Sequence, residues 1–522
     1  MIAGPEVRSW KTKWSQGKPT IWLLALAALL LITNGWFTEI DDECAIIDKA
    51  VQPLSDIIRL YVRGSGQHEH PPLFDLILHG WLSATGGNYY LLRLPSILFY
   101  VFGAWILSLI AKRIGGTRSQ LLQLTIIFVW PFGFHFARLT TWYSFCFFLV
   151  SLLTLIYFRF LDHPTLTNWF WFLLTCIAMV YANYLGWALL ACLAVDYVRR
   201  NRNRLQALRI ILGASAVLFL TYLPLVHPLL RETHVGIHTS GLLGILTADI
   251  YNVYCLFVSE SVAPWFWLIG VPALIATLIG SIALFLQVPS SIKAFYGYFF
   301  IILTLMAGLG ILNPKRLLFI SPWLLLPLGI TLGTSSSGFI RRLLVASLIF
   351  TTAVGWFGIF SRRLYSAPHW VEPWRAIAER GADVVKQHGI VIGNNPSFFF
   401  YLTYMLPTSS VSQPASGFRG LLPNSVRTLG VFTPEEWHAA KRPLASTILL
   451  VVGQHYPTSS APTDAAVQSL DTACSLVSAE HMVHDSGAEL KTRITGIYQP
   501  VWRVEIRTYR CGGAAYARSM RD

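Results

Sequence analysis

Apolar residues fill long blocks of this chain, and charged residues collect almost entirely between the blocks. The first block, Thr20 to Phe37, follows Arg8, Lys11, Lys13 and Lys18. It is longer than the core of a cleaved leader and no small-residue cleavage site follows it, so it reads as an uncleaved helix starting in the cytoplasm. Further blocks at 94–111, 120–137, 143–161, 168–183, 184–198, 207–226, 263–286, 295–312, 317–333 and 340–360 each approach the length that crosses hydrocarbon, about eleven spans in all. The pair meeting at Asn183 and Tyr184 reads either as two spans or as one long, bent helix. Such alternation predicts a polytopic α-helical membrane protein, with residues 1–360 as its transmembrane domain.

The stretch after the first block is patterned differently. Ile46, Ile47, Ala50, Val51, Leu54, Ile57, Ile58 and Tyr61 recur at three- and four-residue steps, the spacing of a helix face. Pro53 splits the run into two short helices. Asp48, Lys49, Asp56 and Arg59 lie between the apolar positions, which suits helices lying in the plane of the membrane surface. Pro71 and Pro72 suit the first turn of another helix, Leu73 to Ala84, too short to span a bilayer.

Basic residues orient the spans. With eleven of them, Lys112, Arg113 and Arg118, the group Arg199, Arg200, Arg202 and Arg204, and the pair Arg341 and Arg342 all face the cytoplasm, and the long first loop faces outside. Residues 227–262 read as a second long outer loop. Its His227, His234 and His238 match no standard metal spacing, so metal binding stays unknown. Lys315 and Arg316 face outside in this topology, against the positive-inside bias.

From Ser361 the pattern changes again. Trp374, Ile377, Ala378, Val384 and Val385 predict an amphipathic helix ending near Gly389. Strand-like runs follow at Ile390–Ile392, Ser446–Val452 and Val501–Tyr509, with a helix at Pro434–Ala440, so residues 361–522 read as a soluble extracytoplasmic α/β domain. Cys474 and Cys511 are the only cysteines of this segment, and an oxidising compartment would allow them to pair.

Composition sharpens the class. Of 522 residues, 54% are hydrophobic and 13% charged, against roughly 25% charged in soluble domains. The formal charge of +14 suits cytoplasmic loops and anionic lipid headgroups, and no compact basic module points to nucleic acid. The seven cysteines contain no CxxC pair, which leaves a zinc or redox centre without support.

Three adjacent carboxylates, Asp41, Asp42 and Glu43, stand just past the first span, where an acidic residue is a functional candidate by default. The Asp42-Glu43 pair, the element His70-Pro71-Pro72-Leu73 and the run Leu92-Arg93-Leu94-Pro95-Ser96, in this order among many spans, resemble the GT-C superfamily of membrane glycosyltransferases. The resemblance is closest to bacterial members related to protein O-mannosyltransferases and to the lipid A aminoarabinose transferase. It covers roughly residues 20 to 360 and implies a GT-C fold with in-plane helices in the first outer loop. It also implies a sugar taken from a polyprenyl-phosphate-linked donor by an inverting displacement on the outer face of a bacterial inner membrane. The acceptor it implies is a lipid, an envelope glycan or a protein. No cofactor is required, and a divalent metal stays open.

Glycosyl transfer needs a base for the acceptor proton and stabilisation of the departing phosphate. The resemblance makes Asp42 the base, with Asp41 and Glu43 as neighbours that could assist or substitute. Glu69 and His70 would orient the acceptor or the sugar. Lys315 and Arg316, then Arg138, would meet the phosphate, and Arg93 would position the loop helix. Arg138 and Tyr143 correspond to an arginine and a tyrosine of related enzymes in shifted form; a plain interfacial belt of arginine and aromatics is the competing reading. Two other functions compete with the transferase. A lipid or solute transporter would place its ionisable residues near midplane in repeated halves, whereas here they gather at the outer border. A non-catalytic envelope assembly subunit would not need Asp42 and Glu43.

Overall fold

A computed structural model of the chain describes residues 18–36, 41–63, 70–201, 203–232, 241–335, 338–362, 364–365, 373–406, 430–439, 447–454, 460–484 and 502–511. The chain forms two compact units: Met1–Asn34, Ile58–Phe74 and Arg93–Ser361 make the first, and Gly35–Ile57, Asp75–Leu92 and Arg362–Asp522 the second. By contacts, then, the second unit takes in two pieces of the long first loop that lie in the transmembrane part of the linear sequence.

Helices α1 (Lys18–Ile32), α2 (Asp41–Ala50), α3 (Leu54–Arg63) and α4 (Leu73–Thr85) come first. They are followed by α5 (Leu94–Val129), α6 (Pro131–Phe136), α7 (Trp142–Asp162), α8 (Leu166–Ala182), α9 (Gly186–Arg200), α10 (Arg204–Glu232) and α11 (Leu242–Val258). Helices α12 (Gly270–Gln287) and α13 (Lys293–Gly308), a 3₁₀ turn over Pro314–Phe319, α14 (Pro322–Thr334) and α15 (Phe339–Ser361) complete the helical part. Among the described residues α5, α7, α10, α12 and α15 are long and apolar enough to cross a membrane, and α1, α8, α11, α13 and α14 are shorter apolar helices. Ile21 and Ile32 of α1, Leu212 and Leu220 of α10, and Ile282 and Leu286 of α12 are more than half exposed, which only an apolar solvent tolerates at this density.

Helix α5 holds two of the expected spans. Gly116, at φ 78° and ψ −175°, breaks it in a conformation that a side chain would strain. Its arms fold back on each other, because Tyr100 of the first arm meets Gly133, just beyond the second. The second arm stops at Val129, since Pro131 starts α6 and disfavours a helical Trp130. Helix α14 lies against the second arm so closely that a Cβ on Gly333 would stand 2.7 Å from the Ser119 Cα. At Asn183 the chain is extended, and its Oδ1 accepts from the Leu185 N–H at 2.8 Å, so α8 and α9 are two helices.

The second outer loop expected over 227–262 is not a loop where it is described. Helix α10 continues to Glu232, and Leu242–Val258 is the apolar helix α11. Polar residues at its borders hide it in the sequence. Ile245 packs beside Gly308 at the end of α13, and Ser261 donates to the Gly355 carbonyl near the end of α15 at 2.8 Å. The start of α11 therefore packs by the end of α13, and the turn after it packs on the last third of α15. His234 and His238 lie outside the described residues.

In the second unit, α16 (Trp374–Lys386), β1 (Ile390–Gly393), α17 (Pro396–Met405), β2 (Val431–Phe432), α18 (Pro434–Ala439), β3 (Thr447–Gln454), α19 (Ser460–Ala473), β4 (Ser475–His484) and β5 (Trp502–Arg510) build one sheet in the order β2-β1-β3-β5-β4. β1 pairs in parallel with β2 and β3, and β5 antiparallel with β3 and β4. Ile392, Ile448, Leu450, Leu470 and Tyr509 are buried in its core. Cys474 and Cys511 form a disulfide that joins the start of β4 to the end of β5. Helix α17 packs against α2, whose Ile46, Ile47 and Ala50 are buried, which is why residues 35–57 cluster with this unit.

Candidate functional site

In the first unit the polar residues of the border gather around the end of α1. Two buried arginines hold that end. Arg93, 1% exposed, donates from Nη1 to the Asn34 carbonyl at 2.9 Å. Arg138, fully buried, donates from Nη1 to the Thr33 carbonyl and to Thr33 Oγ1, and from Nε and Nη2 to the Phe134 carbonyl. The carbonyls that close a helix carry partial negative charge, and cations are favoured there. Here each guanidinium satisfies carbonyls that a buried chain end would otherwise leave bare. The segment so clamped leads, seven residues on, to Asp41.

The connection from α6 to α7 is buried throughout, from Ala137 to Tyr143. A buried loop is costly unless its polar groups are matched. Ser144 Oγ donates to the Ala137 carbonyl at 2.6 Å, and Arg138 engages Thr33 as above. Trp142 packs against His70, with ring centroids 4.0 Å apart and planes tilted by 30°, and against Tyr143 at 4.8 Å. His70 Nδ1 lies 3.0 Å from the Pro71 carbonyl, which makes Nδ1 the donor and Nε2 the acceptor of the neutral ring.

A second turn joins this cluster. At Ser259 the backbone takes φ 67° and ψ 179°, a region suited to glycine and costly by roughly 1–3 kcal/mol for other residues. The turn is held from several sides: Ser259 Oγ lies 2.9 Å from His135 Nδ1, Trp130 Nε1 donates to the Leu256 carbonyl, and Ser261 Oγ binds Gly355. It buries Glu260, whose carboxylate accepts from the Tyr251 hydroxyl at 3.4 Å. The 3₁₀ turn carrying Lys315 and Arg316 packs against α6, α7 and α11. Asn313 Oδ1 caps it at the Lys315 N–H, and Arg316 donates to the Ile311 carbonyl at 3.2 Å; both cations are half-buried.

The structure therefore brings His70, Trp142 and Tyr143 together, ties Arg138 to Thr33, and packs the turn of Lys315 and Arg316 against α7, which carries Trp142 and Tyr143. In the second unit, Asp41 and Asp42 open α2 and Glu43 is fully buried in its first turn. Glu69 and the side chains of Asp41 and Asp42 lie outside the described residues. Ser259 escapes the sequence reading because nothing in a serine announces a positive φ. Glu260 and His135 are visible there as polar residues near the border, but their turn is not. Among the described residues no three His, Cys, Asp or Glu side chains gather as metal ligands do.

No sequence-family profile matches the chain, and no curated protein matches it in sequence. Solved structures do. ArnT from Cupriavidus metallidurans bound to undecaprenyl phosphate matches with a TM-score of 0.50 over 93% of this chain and 97% of that one, at 12% identity. Its apo form matches with a TM-score of 0.50 over 93% and 98%, at 13% identity. Arabinofuranosyltransferase AftD from Mycobacteria gives a TM-score of 0.42 over 96% of this chain and 40% of its own, at 13% identity. The chain has the fold of ArnT.

Proposed function

We propose that the protein is an integral membrane glycosyltransferase that takes a sugar from a polyprenyl-phosphate donor and passes it to a lipid, an envelope glycan or a protein. The observation that carries this reading is the fold, shared over 93% of the chain with a protein solved with undecaprenyl phosphate. The border cluster supports it, since half-buried cations on a rigid turn suit a phosphate at the edge of hydrocarbon.

In the proposed reaction the acceptor hydroxyl loses its proton to Asp42 as its oxygen attacks the anomeric carbon. The bond from that carbon to the phosphate oxygen breaks on the opposite face, which inverts the centre. The electron pair leaves on the polyprenyl phosphate, and Lys315 and Arg316 meet its charge. Asp41 and Glu43 flank the base, and His70, with Nε2 as acceptor, takes a hydrogen bond from a sugar hydroxyl. Glu69 and Tyr143 complete the sugar and acceptor contacts. Arg138 stands second to Lys315 and Arg316 as a phosphate ligand, because its guanidinium already serves Thr33 and Phe134. The site opens to the extracytoplasmic face of a bacterial inner membrane.

The test is transfer by purified protein offered a panel of polyprenyl-phosphate sugars with envelope-lipid, glycan and protein acceptors, read by mass spectrometry. Product from at least one lipid-linked donor and none from nucleotide sugars is expected. Turnover of a nucleotide sugar alone would overturn the reading.

A further inference from the structure

A groove of about 840 Å³ runs along the first unit between α5, α11, α14 and α15. Each long wall follows one helix face, from Arg118 to Val129 on α5, from Arg341 to Ala353 on α15, and in the opposite direction from Leu332 to Leu324 on α14. At 1.5 Å per residue these walls are about 12–18 Å long. That is roughly half of a hydrocarbon core of ~30 Å, the depth of one leaflet.

Apart from Thr352, the lining is apolar except at one end. Arg118 is exposed beside the break in α5, and Arg341 lies at the close of α14, donating to the Ser335 carbonyl at 3.2 Å and the Leu332 carbonyl at 3.3 Å. No acidic residue occurs between Leu94 and Leu161 or between Leu317 and Ser361. The three long walls thus bring two guanidiniums to one mouth and no carboxylate. This mouth is at the far end of α5 and α15 from the clamped end of α1, on the side that the positive-inside rule gives to the cytoplasm.

We propose that the groove binds one anionic glycerophospholipid of the leaflet on this side. Its phosphate would sit between Arg118 and Arg341, and its acyl chains would lie along the leucine-rich walls. The length matches a chain that ends at midplane, and the charge matches a headgroup with net negative charge. An undecaprenyl chain is far longer than the groove.

The experiment compares phosphatidylglycerol and phosphatidylcholine of the same acyl chains, added to delipidated full-length protein in detergent and followed by native mass spectrometry. One phosphatidylglycerol should be retained with a preference of roughly tenfold to thirtyfold, the scale of two basic residues near a lipid phosphate. Raising the salt concentration should shrink that preference. Arg118→Gln combined with Arg341→Gln should remove the preference yet leave binding at the phosphatidylcholine level, and Leu328→Trp, which fills the groove, should remove both lipids. Equal affinity for the two lipids, a preference insensitive to salt, or an unchanged preference in the double variant would overturn the proposal. Displacement of phosphatidylglycerol by a lower concentration of undecaprenyl phosphate would overturn it too, and give the groove to the polyprenyl lipid.

Discussion

Arginines of one border do different work according to what each can reach. Arg93 and Arg138 are buried and spend their donors on carbonyls at the end of α1, so their replacement acts on the fold. Arg316 is half-buried on a capped turn, so its replacement should act on the donor. Arg316→Ala is expected to weaken donor use by about 1.5–3 kcal/mol, the worth of a charge-assisted contact, while thermal melting stays near wild type. Donor titrations at fixed acceptor check this, and unchanged donor kinetics would move the phosphate to Arg138. For the base, Asp42→Asn should slow transfer about a hundred- to ten-thousand-fold and leave donor binding largely intact, because the amide cannot take a proton at neutral pH. Asp41→Asn should cost less and Glu43→Gln should fall between. Single-turnover transfer at matched protein levels decides. A dead Asp41→Asn beside an active Asp42→Asn would shift the register by one residue.

The decisive elements are those in which a helix is broken or pressed against another. The break at Gly116 lets one apolar run of 36 residues serve as two arms, and Gly333 lets α14 settle on the second of them. Gly333→Ala would place its Cβ 2.0 Å from Ser119 Oγ and 2.7 Å from the Ser119 Cα, and a backbone atom cannot rotate away. Overpacking of this kind costs typically 1–3 kcal/mol. A clear fall in the melting temperature of the detergent-purified variant is expected, whereas Gly297→Ala, with nothing within 4 Å of the new Cβ, should melt like wild type. Strand β4 shows the opposite lesson. Its register shifts between Leu476 and Ser478, Val477 is 54% exposed, and the alternation that marks a strand is lost at that bulge. That is why it is missing from the sequence reading, while β1, β3 and β5 are present in it.

For the whole molecule, orientation and compartment are linked. A disulfide such as that between Cys474 and Cys511 persists in an oxidising space, so the proposed topology has the second unit and residues 313–316 on the outer side. A membrane-impermeant maleimide applied to intact cells should therefore label Asn313→Cys and not Thr117→Cys. Mass mapping of freshly isolated membranes should find Cys474 and Cys511 joined. Labelling of Thr117→Cys alone would invert the topology and with it the proposed side of transfer.

The sequence by itself determined the class of molecule, because a run of apolar residues long enough to cross hydrocarbon has no other stable setting and because basic loops orient it. It also singled out the border residues as candidates, since carboxylates and cations beside lipid are costly. Only the tertiary structure decided which of them lie together. Arg93 and Arg138 meet Asn34 and Thr33 across long separations in the chain, and His135 meets Ser259, contacts that no local period encodes. It alone decided that Leu242–Val258 is a helix and that residues 35–57 belong with the sheet unit. The reason is physical. Periodicity reports the face an element must hide, whereas the partner that hides it is set by packing between distant segments.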